Sequence, residues 1–276
     1  MAPPTLPQEL IDEIIDQFGG TARLDDDHIP NKRVLATLST VAKAWKERSQ
    51  KHLFSVISFT RGSPKVWIRP VESDFDELHE LNVVYALTKD LEIDGCWEVF
   101  SLQFAPMPML TLRCFRNLET LTLTYWRFKW HSAEQLKNCF GHLGETLTRL
   151  KVKGEASSEA LIHLTSMLPR LIVLEIWITG VPGCSRISKE ELPTTTGSFQ
   201  GHIHLLGLSK AHNDFLTFIS STSPRFSTIC IHDCDTGGGT GKLVKSSAAS
   251  LESLELYLDL DDMGGEFPGP RSQVRC

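Results

Sequence analysis

The sequence predicts an α/β protein: a small N-terminal helical module, then an irregular solenoid of repeats with parallel strands on a concave face and helices outside. Three observations predict it. Two amphipathic helical stripes lie within the first 58 residues. An apolar-x-x-apolar-x-apolar unit recurs from Leu118 to Leu256. Helix-start signals fall between copies of that unit. The domain reading is 1–58 for the helical module, 59–85 for a connecting segment, 86–258 for the solenoid and 259–276 for a flexible tail.

Thr5-Leu6-Pro7-Gln8 has the form of a capping box, with Pro in the first turn, where its missing N–H is not needed. Leu10, Ile11, Ile14, Ile15 and Phe18 then form one apolar stripe. Glu9, Asp12, Glu13 and Asp16 take the other face, near the positive end of the helix dipole. Gly19-Gly20 ends the helix. After a polar insert, Thr21–Arg33, the residues Val34, Leu35, Leu38, Val41, Ala42 and Trp45 give a second helical stripe, with Lys43, Lys46, Arg48 and Lys51 toward its end. Leu53, Phe54, Val56, Ile57 and Phe59 close the module as a third apolar cluster.

These residues resemble a known family. Leu6-Pro7-Gln8-Glu9-Leu10-Ile11 is similar to the opening of the F-box, and Leu38 to Trp45 to its second signature of Val, small, basic and Trp. His52-Leu53-Phe54 stands where that motif ends. The likeness is closest to F-box proteins of mushroom-forming fungi and covers about residues 5–58; the Thr21–Arg33 insert is longer than in the compact motif. The resemblance implies docking on a Skp1-type adaptor and, through it, a cullin. Leu6, Pro7, Leu10, Ile11, Ile14, Ile15, Leu38, Val41 and Trp45 would build or present the docking surface. A module this small cannot bury two broad stripes by itself, which leaves apolar surface for a partner. The alternative is that the stripes pack only on each other and on the solenoid.

The repeat unit is clearest in Leu118-x-x-Leu121-x-Leu123. It recurs from Leu147, Leu171, Ile203 (as Ile203-x-x-Leu206-x-Leu208), Phe226 and Leu251, with starts 29, 24, 32, 23 and 25 residues apart, and a weaker copy ends at Leu91-x-Ile93. That period resembles leucine-rich repeats. The common pattern carries Asn or Cys at its ninth position; of Trp126, Glu155, Thr179, Ala211, Cys234 and Asp259, only Cys234 fits, so the repeats are degenerate. An ordinary α/β domain with parallel strands is the alternative fold. Alternation along a strand sends the residues between the apolar positions to the concave face. These are Thr120, Thr122 and Thr124; Arg149, Lys151 and Lys153; Val173, Glu175 and Trp177; Cys230 and His232; and Ser253, Glu255 and Tyr257. Their mix of charge and aromatics suits a protein substrate. Arg149, Lys151, Lys153, Glu175, Trp177, His232, Glu255 and Tyr257 are the candidate substrate-binding residues.

Other function classes find less support. A net charge of −6 argues against general nucleic-acid affinity. The first residues are proline-rich and then acidic, unlike a secretory signal, and the apolar run Leu171–Val181 is too short to span a bilayer. Seven scattered cysteines read as reduced thiols in the cytoplasm or nucleus. Thr236 to Lys242 lacks the first glycine and the hydroxyl of a phosphate loop and reads as a flexible inter-repeat loop. Cys230, His232 and Cys234 lack a second nearby ligand pair, so no metal is expected. No catalytic motif is evident, and the expectation is a non-enzyme without a cofactor.

Overall fold

The computed structural model describes residues 6–19, 32–59, 84–94, 112, 115–128, 132–179, 190, 193, 198–232, 238–257 and 273–275. Helices α1 (Gln8–Gly19), α2 (Lys32–Val41) and α3 (Lys43–Leu53) precede one nine-stranded sheet. Its strands are β1 (Val56–Phe59), β2 (Asp90–Asp94), β3 (Thr120–Arg127), β4 (Arg149–Glu155), β5 (Val173–Ile178), β6 (Gln200–Leu206), β7 (Arg225–His232), β8 (Ser253–Tyr257) and β9 (Gln273–Arg275). Helices α4 (Ala133–Phe140), α5 (Ser158–Ser166), α6 (Asn213–Ser221) and α7 (Gly239–Ser247) lie between strands in the chain and pack on one another in sequence.

The strands lie side by side in chain order. β1 to β8 are all parallel, and β9 adds antiparallel to β8. A doubly wound domain reverses strand order at a switch point; this strictly sequential order is solenoid-like instead. The alternating sequence explains the layering. In β4 and β5 every second residue is buried, and the residues between are half-buried. The buried set forms two rows across the sheet: Leu91, Leu121, Leu150, Leu174, Ile203 and Ile229, and Ile93, Leu123, Val152, Ile176, Leu205 and Ile231. With Leu136, Phe140, Leu161, Leu164, Phe215, Leu216 and Leu243 from the helices they make one continuous core. Each such side chain contributes about 1.5–3 kcal/mol on burial. Among the described residues, the helices pack on this buried side and leave the opposite sheet face open.

Two helices between the strands are capped by serine side chains. Ser132 and Gln135 form a reciprocal capping box at α4, and the Ser157 hydroxyl accepts from the Ala160 N–H at 3.2 Å at α5. Several sequence expectations need correction. The stripe Val34 to Trp45 belongs to two helices, because Ala42 is extended at φ −158° and ψ 161°. Hydroxyls of Thr37, Ser39 and Thr40 bond back to helix carbonyls just before the break, a competition that weakens the last turn. Val56–Phe59, assigned by sequence to the helical module, is the first strand, and Ile57 packs on the sheet core. The copy read as Ile203-x-x-Leu206-x-Leu208 is misregistered. Ile203 and Leu205 are the buried strand pair, equivalent to Leu174 and Ile176, so Gln200 opens that unit. Gly239 to Lys242 are the start of α7 rather than loop. Helix α7 packs closely on α6: a Cβ on Gly239 would meet Asn213 Oδ1 at 2.7 Å. Gln273–Arg275 pair with β8 instead of lying in a tail.

The helical module has its own small core of Ile11, Ile15 and Leu35, backed by Leu38, Trp45 and Leu53. Asp16 ties α1 to α3. It accepts from Arg48 at 2.7 and 2.5 Å and contacts His52 Nε2 at 2.8 Å. The Arg48 hydrogen bond, outweighing burial and aided by His52, lowers the Asp16 carboxyl from 3.8 to about 2. A carboxyl lowered in the folded state stabilises fully above 3.8 and loses that contribution as pH falls through about 2. Helix unfolding is therefore expected to ease between those two values, and Asp16→Asn to flatten that part of the stability profile. Both charged partners are about a third exposed, so solvent screening holds the effect to about 1 kcal/mol or less. Circular dichroism against pH checks it. Among the described residues, no helix is long and apolar enough to cross a membrane.

Candidate functional site

The open sheet face carries two parallel rows of side chains, polar or aromatic except for Leu206, set by register. One row runs Ser58, Glu92, Thr122, Lys151, Glu175, His204, Cys230 and Glu255. The other runs Thr124, Lys153, Trp177, Leu206, His232 and Tyr257. Every candidate substrate-binding residue is on this face. Lys151, Lys153, Glu175, Trp177, His232, Glu255 and Tyr257 fall in these rows, and Arg149 sits one row earlier, beside Thr120 and Val173.

The left half is held by charge. Lys151 Nζ lies 2.9 Å from Glu175 Oε1, and Lys153 Nζ lies 3.9 Å from the centre of the Trp177 ring. At this partial exposure each such contact contributes roughly 0.5–1 kcal/mol, so they orient side chains more than they stabilise the fold. The right half is a ladder of rings. Trp177 meets His204 edge-on at 5.8 Å, His204 lies 5.0 Å from His232, and His232 stacks on Tyr257 at 3.8 Å with planes 7° apart. Cys230 Sγ is 3.2 Å from His232 Nε2 and 3.8 Å from Glu255 Oε2, which also accepts from the Tyr257 hydroxyl at 3.1 Å.

His204 was missed by sequence reasoning. The misregistered repeat placed it off the open face, yet Gln200-Gly201-His202-Ile203-His204-Leu205 alternates cleanly and could have revealed it. The β6–β7 pairing shifts between Gly201 and His202, where Ser227 is the extra residue on β7. Gly201 adopts φ 87°, and a Cβ there would lie 2.3 Å from the Ile172 carbonyl oxygen. Gly201→Ala is therefore expected to destabilise the sheet by about 1–3 kcal/mol, read by chemical denaturation. A second bulge turns Tyr125 outward at φ 55° and 60% exposure, while Trp126 behind it is buried.

Ionisation on this face is shifted by its environment. Burial, then the neighbouring His232, lowers the His204 pKa and favours the neutral ring. Burial pushes the Cys230 thiol up to about 11, with Glu255 adding to the effect. At neutral pH that thiol is protonated, the opposite of an activated nucleophile.

The helical module divides its candidate residues. Ile11 and Ile15 are buried and build the small core, which removes them from the surface offered to a partner. Leu38 and Trp45 pack partly against that core. Ile14 is half-buried. Leu6, Leu10 and Val41 are 48%, 47% and 59% exposed, and Pro7, next to Leu6, is exposed too. Gln8 Nε2 donates to the Ala44 carbonyl at 3.4 Å, bringing the start of α1 beside the α2–α3 junction that carries Val41. Thr5, Gly20 and residues 21–31 of the insert lie outside the described residues, and Lys32 and Arg33 of the insert begin α2. No protein-family model matches the chain, and no curated protein matches it.

Proposed function

We propose that the chain is a non-catalytic substrate-recognition subunit of an SCF-type ubiquitin ligase. Its F-box-like helices dock on a Skp1-type adaptor and, through it, a cullin, while the leucine-rich-repeat-like open face binds a protein substrate. The observation that carries the first half is the exposure of Leu6, just before α1, Leu10 on α1 and Val41 at the end of α2, on a module whose core among the described residues is Ile11, Ile15 and Leu35 with Leu38, Trp45 and Leu53 packed against it. Large apolar side chains exposed together on helices favour a partner groove over water. The second half rests on a charged and aromatic sheet face that no described helix covers, with Lys151, Lys153 and Trp177 beside His232 and Tyr257. The chain acts by proximity, raising the effective concentration of substrate near the transfer machinery.

Co-expression of the full chain with a Skp1-type adaptor and a cullin tests the reading. The three are expected to purify together. Recovery of the chain without adaptor would overturn the ligase role and leave a repeat scaffold that binds proteins through the open face alone. A companion prediction concerns that face: Lys153→Glu/Trp177→Ala should leave the adaptor bound but lose proteins captured by wild type, since few residues carry most interface energy. Quantitative comparison of proteins captured by wild type and variant reads this.

A further inference from the structure

His204, Cys230 and His232 present one ligand atom each, and these atoms all lie within 4.8 Å of one another. The backbone makes this cluster. Cys230 and His232 are two apart on β7 and therefore share a face, and His204 on β6 is directly opposite Cys230 in the parallel register. Ligands around a tetrahedral zinc ion, with bonds of about 2.0–2.3 Å, stand roughly 3.3–3.8 Å apart. Cys230 Sγ and His232 Nε2 are already 3.2 Å apart, so small side-chain rotations complete the set.

A thiol–imidazole hydrogen bond accounts for Cys230 and His232 but not for His204. Its Nε2 is sealed from solvent and makes no hydrogen bond among the described residues. Such a buried polar atom needs a partner. The rings around the cluster hold the donors in place: Trp177 stands edge-on to His204, and Tyr257 stacks flat on His232. Glu255 stands beside Cys230 and adds negative charge next to the site.

From this geometry we infer that His204, Cys230 and His232 bind one zinc-class divalent ion on the open face. Two imidazoles and a thiolate suit a borderline-soft ion and disfavour magnesium or calcium, which prefer oxygen ligands. Binding forms two nitrogen–metal bonds and one sulfur–metal bond, and the Cys230 proton leaves to solvent. Three protein ligands leave the fourth position on the exposed side, for water or for a group on a bound protein. The site stands independently of the ligase reading, because it needs only β6 and β7.

The test uses the full chain freed of metal and titrated with Zn2+ and with Co2+. One ion per chain is expected, with a cobalt spectrum showing thiolate charge transfer and tetrahedral intensity. His204→Ala and Cys230→Ser should each weaken zinc binding at least about tenfold, while Cys139→Ser, buried elsewhere in the core, should not. X-ray absorption of the wild-type zinc complex gives a readout that needs no variant, with one sulfur and two imidazole nitrogens expected. No stoichiometric binding, more than one sulfur at the ion, or unchanged affinity in a folded His204→Ala chain would each overturn the assignment.

Discussion

Leu10→Asp/Val41→Asp is expected to fold like the wild-type chain and to lose Skp1-type adaptor binding by more than about a hundredfold. Both positions are about half exposed or more, so the charges meet water in the free chain and leave the Ile11, Ile15 and Leu35 core intact. In a complex the same carboxylates would be forced against an apolar groove without a counter-ion. A buried unpaired charge costs several kcal/mol, enough to remove a micromolar complex. A binding titration with purified adaptor measures the loss, and circular dichroism checks the fold. By contrast Ile15→Asp would unfold the module itself, since Ile15 has no exposed surface, and would say nothing about docking.

Phe226→Ala is expected to destabilise the sheet by about 3–5 kcal/mol. Phe226 is 1% exposed, lies at the start of β7, and stacks on Phe199 at 6.4 Å with planes 17° apart. Its loss opens a cavity between two neighbouring repeats. With strands in strict chain order each unit contacts chiefly its neighbours, so the damage concentrates in β6 to β8 and the helices behind them. Hydrogen exchange should show faster opening there, with α1 to α3 protected as in wild type because their core is separate. Equal loosening of α1 to α3 would mean that helices and sheet unfold as one unit.

Much of this fold is legible in the sequence. The spacing Leu118-x-x-Leu121-x-Leu123 and its copies announce parallel strands whose Leu, Ile and Val rows form the core. Alternation announces Lys151, Lys153, Glu175, Trp177, His232, Glu255 and Tyr257 on the open face, because period two leaves no other side for them. The pattern fails where the backbone departs from it. Gly201 takes a left-handed φ where the β6–β7 pairing shifts, and the repeat starting at Gln200 carries no apolar first position to mark it. His204 was lost with that register, and with it the third donor next to Cys230 and His232. The break at Ala42 was equally hidden, since Leu38, Val41 and Trp45 keep helical spacing across it. In the helical module periodicity identified the apolar stripe but not its division. Ile11 and Ile15 turn inward while Leu6 and Leu10 face out, a choice made by where α3 packs.

The central claim is most directly tested by light scattering on a size-exclusion column, with the purified full chain mixed with purified Skp1-type adaptor. The account predicts one peak whose mass equals the sum of the two proteins at micromolar concentration. Two separate peaks at their individual masses would contradict it.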